Sequence, residues 1–190
     1  MTHPHESTSI EELLARSQDT LTTLGTVRLT RPATAPPPRR IPSFYADPAS
    51  WTVLAAVDRL IEGRPDVLQA ARTTALILIS TYSTVSTMSA IAAAVPSGRV
   101  SPLRFAGANA GGPLSLVCMV HGLRGPTLVL TTEPAEGVPA AVTMARHWLR
   151  TASVSHVVLA VHDHDPQRGH HVHGVLIEAA RGLRPAGAGR

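Results

Sequence analysis

The residues best able to do chemistry gather late in the chain. His162, His164, His170, His171 and His173 fall in one short stretch, with Asp163 and Asp165 among them. A His-x-His spacing sets two imidazoles on one face of an extended strand, which is the spacing of a metal site. The competing reading is a solvated loop between strands at 157–161 and 172–178, turned by Pro166, Arg168 and Gly169. No metal is assigned. Glu133 and Glu136 form a second candidate. Two carboxylates near a helix start suit general acid and base roles, or simply favour the helix dipole. The single cysteine, Cys118, excludes an internal disulfide and a multi-cysteine zinc site. Its neighbours Val117, Met119 and Val120 give it the character of a small buried hydrophobe. His121 follows at helical spacing, so a Cys–His pair is geometrically open. Ser83, Ser86 and Ser89 lack the Gly-x-Ser-x-Gly elbow of a serine hydrolase and are read as a strand end and a capped helix start. Gly107, Gly111 and Gly112 do not follow the dinucleotide-binding order, and no cofactor is expected.

These residues must be positioned by elements that hydrophobic patterning makes visible. The spacing predicts a helix over 7–24, with Ser9 as cap, and a short strand at Val27–Leu29. Pro32, Pro36, Pro37, Pro38 and Pro42 then forbid regular structure and read as a stiff linker. From about residue 48 the chain alternates between helices and strands. Helices are expected at 48–62, 84–94, 109–122 and 137–150. Strands are expected at 74–80, 127–131, 157–161 and 172–178. The run Thr74 to Ser80 is nearly all apolar, as suits a strand buried on both faces of a parallel sheet. The tail after Gly182 is rich in Gly, Pro and Ala. This divides the chain into an N-terminal helix and Pro-rich linker (1–43), an α/β domain (44–180) and a tail (181–190).

Composition narrows the function classes. The chain has 190 residues, 44% hydrophobic and 16% charged, which excludes a fully disordered protein. All 17 basic residues are arginine. Without lysine, Schiff-base chemistry and a phosphate-loop lysine are excluded. The net charge of +4 invites nucleic-acid binding. The arginines are scattered, however, and aromatic residues make up only 3%, so no stacking platform is available and no nucleic-acid partner is expected. The longest apolar run is strand-sized, so no membrane span is expected. The first residues lack a secretory pattern, and a cytoplasmic location fits best.

Several landmarks in order carry a resemblance. Ser101-Pro102-Leu103-Arg104-Phe105, Asn109, Gly111-Gly112 and Gly122-Leu123-Arg124-Gly125-Pro126 resemble the N-terminal half of β-ketoacyl synthases. The strand at 127–132, the helix at 140–149 and the strand at 157–161 with His162-Asp163 keep the same layout. The likeness extends over roughly residues 40–180 and is nearest to chain length factors of type II polyketide systems. It implies the N-terminal half of a thiolase-like fold, with a mostly parallel sheet and helices on both faces.

The resemblance also implies what this sequence lacks. Counted from Gly125-Pro126, the position of the family's nucleophilic cysteine falls on Pro134, within Glu133-Pro134-Ala135-Glu136-Gly137. The family's catalytic histidines come from a C-terminal half that these residues do not cover. No condensing activity is expected. In the family the strand before the nucleophile lies at the subunit seam, which would place Val129, Leu130 and Thr131 at an interface. The implied function is a non-catalytic, chain-length-factor-like accessory subunit, with a ketosynthase, an acyl carrier protein or a second copy as partner. Arg39, Arg40 and Arg104 are candidates to meet an acidic carrier protein. The alternative is a small isomerase, dehydratase or thioesterase for carrier-bound acyl chains, using Glu133, Glu136 or the late histidines.

Overall fold

A computed structural model describes residues 10–15, 20–39, 41 and 44–180. In chain order the elements are α1 (Ile10–Ala15), β1 (Leu21–Arg31), α2 (Pro48–Ile61), α3 (Pro65–Gln69), β2 (Thr74–Ser80) and α4 (Val85–Ala94). They continue with α5 (Pro102–Gly107), α6 (Gly112–His121), β3 (Thr127–Leu130), α7 (Pro134–Arg150), β4 (His156–Asp165) and β5 (Gly169–Ala179).

One five-stranded sheet, in the order β1-β5-β4-β2-β3, organises the fold. β3 and β4 flank β2 and run parallel to it. β5 is antiparallel to both β4 and β1. All seven residues of β2 are buried, as its unbroken apolar run requires. On one face, Leu76, Leu78, Val158, Ala160, Val172 and Leu176 pack against α2 and α6 through Leu54, Val57, Leu116 and Val117. On the other, Ala75, Ile77, Ile79, Val157, Leu159, Val175 and Ile177 pack against α7 and α1 through Val138, Ala141, Ala145 and Ile10. The expected α/β architecture with helices on both faces is therefore present. The sheet is parallel only across β3, β2 and β4, because its other half is built from a hairpin and the returning N-terminal strand.

Two local expectations are corrected. The helix predicted over 7–24 is helical, within the described residues, only at Ile10–Ala15, and Leu21 already begins a strand. Thr22, Thr23, Thr26 and Val27 are β-branched residues suited to a strand, and ten of the eleven β1 residues find partners along β5. Tertiary pairing overrides the helical periodicity that Ile10, Leu13, Leu14 and Leu21 imply. β1 thereby joins the same sheet as the α/β region, although the expected division puts it in a separate N-terminal segment. The second correction concerns the polar stretch after residue 161. It is a β-hairpin, with β4 continuing to Asp165 and β5 starting at Gly169. The Asp165 carboxylate accepts the N–H groups of Gln167 (2.7 Å) and Arg168 (2.9 Å), and those bonds lower its pKa. Gly169 has φ +90°, and a Cβ there would fall on the Arg31 carbonyl. The tail at 181–190 lies outside the described residues.

Candidate functional site

The carboxyl ends of β2, β3 and β4 lie at one end of the sheet, because these strands are parallel. In open α/β sheets this is the end where ligands bind. α4 starts just beyond β2, and α7 starts just beyond β3. α2 reaches the same end, since the Asp47 that caps it binds the first turn of α4. Asp47 is buried, its Oδ1 accepting from Ala49 N–H (2.9 Å) and its Oδ2 from Thr87 N–H (2.8 Å). One carboxylate thus ties two helix starts together, where negative charge is favourable.

Between these helix starts runs a buried chain of hydrogen bonds. Ser83 N–H donates to Ser80 Oγ (2.8 Å), and Ser80 Oγ lies 2.6 Å from His162 Nδ1. His162 Nε2 lies 2.9 Å from His170 Nδ1, and the two rings stack with centroids 5.2 Å apart. Ser80, His162 and His170 are each no more than 1% exposed. Alternation puts Ser80 and His162 on the α2 face, beside Leu78 and Ala160. His170 joins them diagonally across the hairpin, while His164 stands directly opposite it. His164 also meets the edge of the Tyr82 ring at 6.2 Å.

Burial dominates the electrostatics of this chain. It lowers His162 from an ordinary 6.5 to about 3, with repulsion from His170, His164 and His171 adding to it. Burial likewise lowers His170 to about 4, with His164 next in importance and with Asp47 opposing. Both rings are neutral near pH 7. Ser83 sits at the β2–α4 junction with φ 41°, an uncommon conformation for a non-glycine residue. Its hydroxyl donates to the Ala110 carbonyl at 3.1 Å. Because Ser80 and Ser83 are buried and bonded, this geometry positions backbone rather than presenting a nucleophile.

The late histidines are thus divided. His162 and His170 are interior residues, not members of a solvated loop. Among the described residues, no group of three or more His, Cys, Asp or Glu side chains is arranged to hold a metal ion. His121 does not serve Cys118. Its Nε2 meets Asp58 Oδ1 at 2.7 Å, and Asp58 Oδ2 also accepts from Arg39 at 2.9 Å. Cys118 packs against the core, and burial raises its thiol pKa, which keeps it protonated. Arg104 stands over the Tyr45 ring at 5.8 Å. Arg40 lies outside the described residues.

The residues singled out near α7 occupy a strand-to-helix junction. Glu133 is the N-cap residue of α7 and Pro134 follows in its first turn, as does Glu136. Both carboxylates are exposed. Gly137, one turn in, lets the helix approach β2, since a Cβ there would lie 2.6 Å from Ile79 Cγ2. Among the described residues β3 is an edge strand hydrogen-bonded to β2 alone, so Val129 and Leu130 lie on an edge that these residues leave free, with Thr131 just past its end. The buried histidine chain was missed by sequence reasoning. Its available signal was the alternation of His162-Asp163-His164-Asp165, which is the period of a strand.

Compared by sequence, the chain matches no protein-family model and no curated protein. Compared by structure, it matches a ketosynthase in complex with its chain length factor from Xenorhabdus doucetiae, with TM-score 0.61 and 11% identity over 85% of this chain and 79% of that one. It also matches the ishigamide ketosynthase/chain length factor, with TM-score 0.62 and 14% identity over 76% of this chain and 46% of that one. A β-ketoacyl synthase from Burkholderia phymatum aligns with TM-score 0.55 and 12% identity over 72% of this chain and 44% of that one. The fold is therefore a thiolase-like α/β fold, similar to that of these ketosynthase structures. The alignment spans less than half of two of these three relatives. No helix among the described residues is long and apolar enough to cross a membrane.

Proposed function

We propose that this chain is a non-catalytic, chain-length-factor-like accessory subunit that partners a ketosynthase in polyketide or fatty-acid-type biosynthesis. The carrying observation is Pro134. It opens α7 directly after β3, at the strand-to-helix junction where the resembled synthases hold their nucleophile, and proline offers no nucleophilic group. Two further observations support a subunit role. The free edge of β3, with Val129, Leu130 and Thr131, is a liability that pairing removes. α4 is apolar on most sides, yet only its Thr87 is buried, and Met88, Val95, Leu103 and Phe105 are exposed on α4, α5 and the segment between them. The proposed occupant of these surfaces is the ketosynthase subunit. An acyl carrier protein would meet the arginine-bearing face near Arg104.

Native mass spectrometry after co-expression with a ketosynthase from the same organism tests this reading. A stoichiometric complex is expected, and Val129→Lys should weaken it at least tenfold. A homodimer that ignores the synthase would overturn the proposal. So would retained activity on carrier-bound acyl substrates that depends on Glu133 or Glu136.

A further inference from the structure

The histidine chain ends on a donor that lacks an acceptor. Ser80 Oγ already accepts the Ser83 N–H, so its own proton is best used toward His162 Nδ1. His162 then carries its proton on Nε2 and donates to His170 Nδ1, which leaves His170 protonated at Nε2. The opposite direction would strand the Ser80 hydroxyl proton as well, adding a second unpaired group in the interior. His170 Nε2 is buried and has no hydrogen-bond partner among the described residues.

A second orphan donor belongs to the residue opposite. Arg31, at the end of β1, is the cross-strand partner of His170. Alternation from Val27 and Leu29 puts its side chain on the same face as His170. One arm of the guanidinium is fixed, Nη2 donating to the Pro36 carbonyl at 2.6 Å. The other, Nη1, is buried without a partner among the described residues. Asp47 is near enough to influence His170, as are His164 and His171. Both Asp47 oxygens, however, are engaged by the N–H groups that open α2 and α4. Among the described residues no ion pair joins Arg31 to an acidic side chain.

We propose that Arg31 Nη1 and His170 Nε2 together form a small oxyanion-binding site at the end of β1 and β5, suited to a carboxylate or phosphate group. A guanidinium and a neutral imidazole N–H supply two donors, one of them charged, and a single oxygen-bearing anion satisfies both. The site is independent of the accessory role proposed above.

Long-range proton–nitrogen NMR on the full labelled chain tests it, with sodium acetate and inorganic phosphate as probes at constant ionic strength. The expected result is a protonated His170 Nε2 whose resonance shifts saturably with at least one probe, accompanied by a rise in Tm. A response to acetate alone assigns a carboxylate, to phosphate alone a phosphate group, and to both a general oxyanion site. Arg31→Gln should weaken the response at least tenfold while leaving His170 Nε2 protonated. Among the described residues the Arg31 side chain bonds only to an exposed loop, so this variant should fold even where His170→Gln does not. An unprotonated Nε2, the absence of a saturable shift, or a response that persists in Arg31→Gln would overturn the site and leave a bound water as the only occupant.

Discussion

Acid should unfold this protein earlier than its surface charges would suggest. His162 and His170 are held neutral in the fold, at about 3 and about 4, whereas an unfolded histidine titrates near 6.5. The unfolded state therefore binds more protons below that value. The associated stability is fully present above 6.5 and is lost as pH falls toward the folded values. Each histidine contributes at most about 1.4 kcal/mol per pH unit in that window. Urea midpoints measured at pH 7.5, 6 and 5 should fall steadily, and His162→Gln should flatten the slope by about one proton. Ser80→Ala removes the bridge between Ser83 N–H and His162 Nδ1. Leaving those buried groups unpaired should cost about 1–3 kcal/mol in the same assay.

Elements differ in how plainly the sequence announces them. β2 and α2 follow directly from local pattern. Thr74–Ser80 is an apolar run of strand length, and Pro48 with Asp47 marks a helix start before a broad apolar face. Pro134 at the opening of α7 is legible for the same reason. β1 is legible only at its centre, Val27–Leu29; its full length depends on a partner far along the chain, and its start at Leu21 reads as helix because Leu21 continues a helical period that the described residues follow only over Ile10–Ala15. The hairpin was hidden by its composition. His and Asp read as loop residues, yet bonding to Ser80 and stacking on each other make His162 and His170 interior groups. The turn itself is exacting. Gly169 has φ +90° and no room for a Cβ beside the Arg31 carbonyl. Gly169→Ala should lower stability by about 1–3 kcal/mol, read from thermal unfolding.

The whole molecule combines a well-filled interior with surfaces that the described residues leave open. Two cores sandwich the sheet, while β3 keeps a free edge and the α4–α5 face exposes Met88 and Phe105. Substituting both with glutamate should change stability by no more than about 0.5 kcal/mol, since neither side chain is interior. The ketosynthase complex should weaken in the same variant, as sedimentation of the co-expressed pair would measure. Equal sedimentation with and without the substitutions would remove that face from the proposed contact.

The pairing of β1 with β5 also governs how the chain assembles. Thr30 Oγ1 meets His171 Nδ1 at 2.8 Å across 141 residues of sequence. The β4–β5 hairpin closes locally, but its outer rim waits for a strand made far earlier, and such distant closure slows folding. Until then β5 can accept β1 from any copy in reach. The segment after Arg31, which carries Pro32, Pro36, Pro37 and Pro38, would serve as the crossing arm. Refolding at high protein concentration should therefore yield strand-exchanged dimers, and refolding at high dilution should yield monomers.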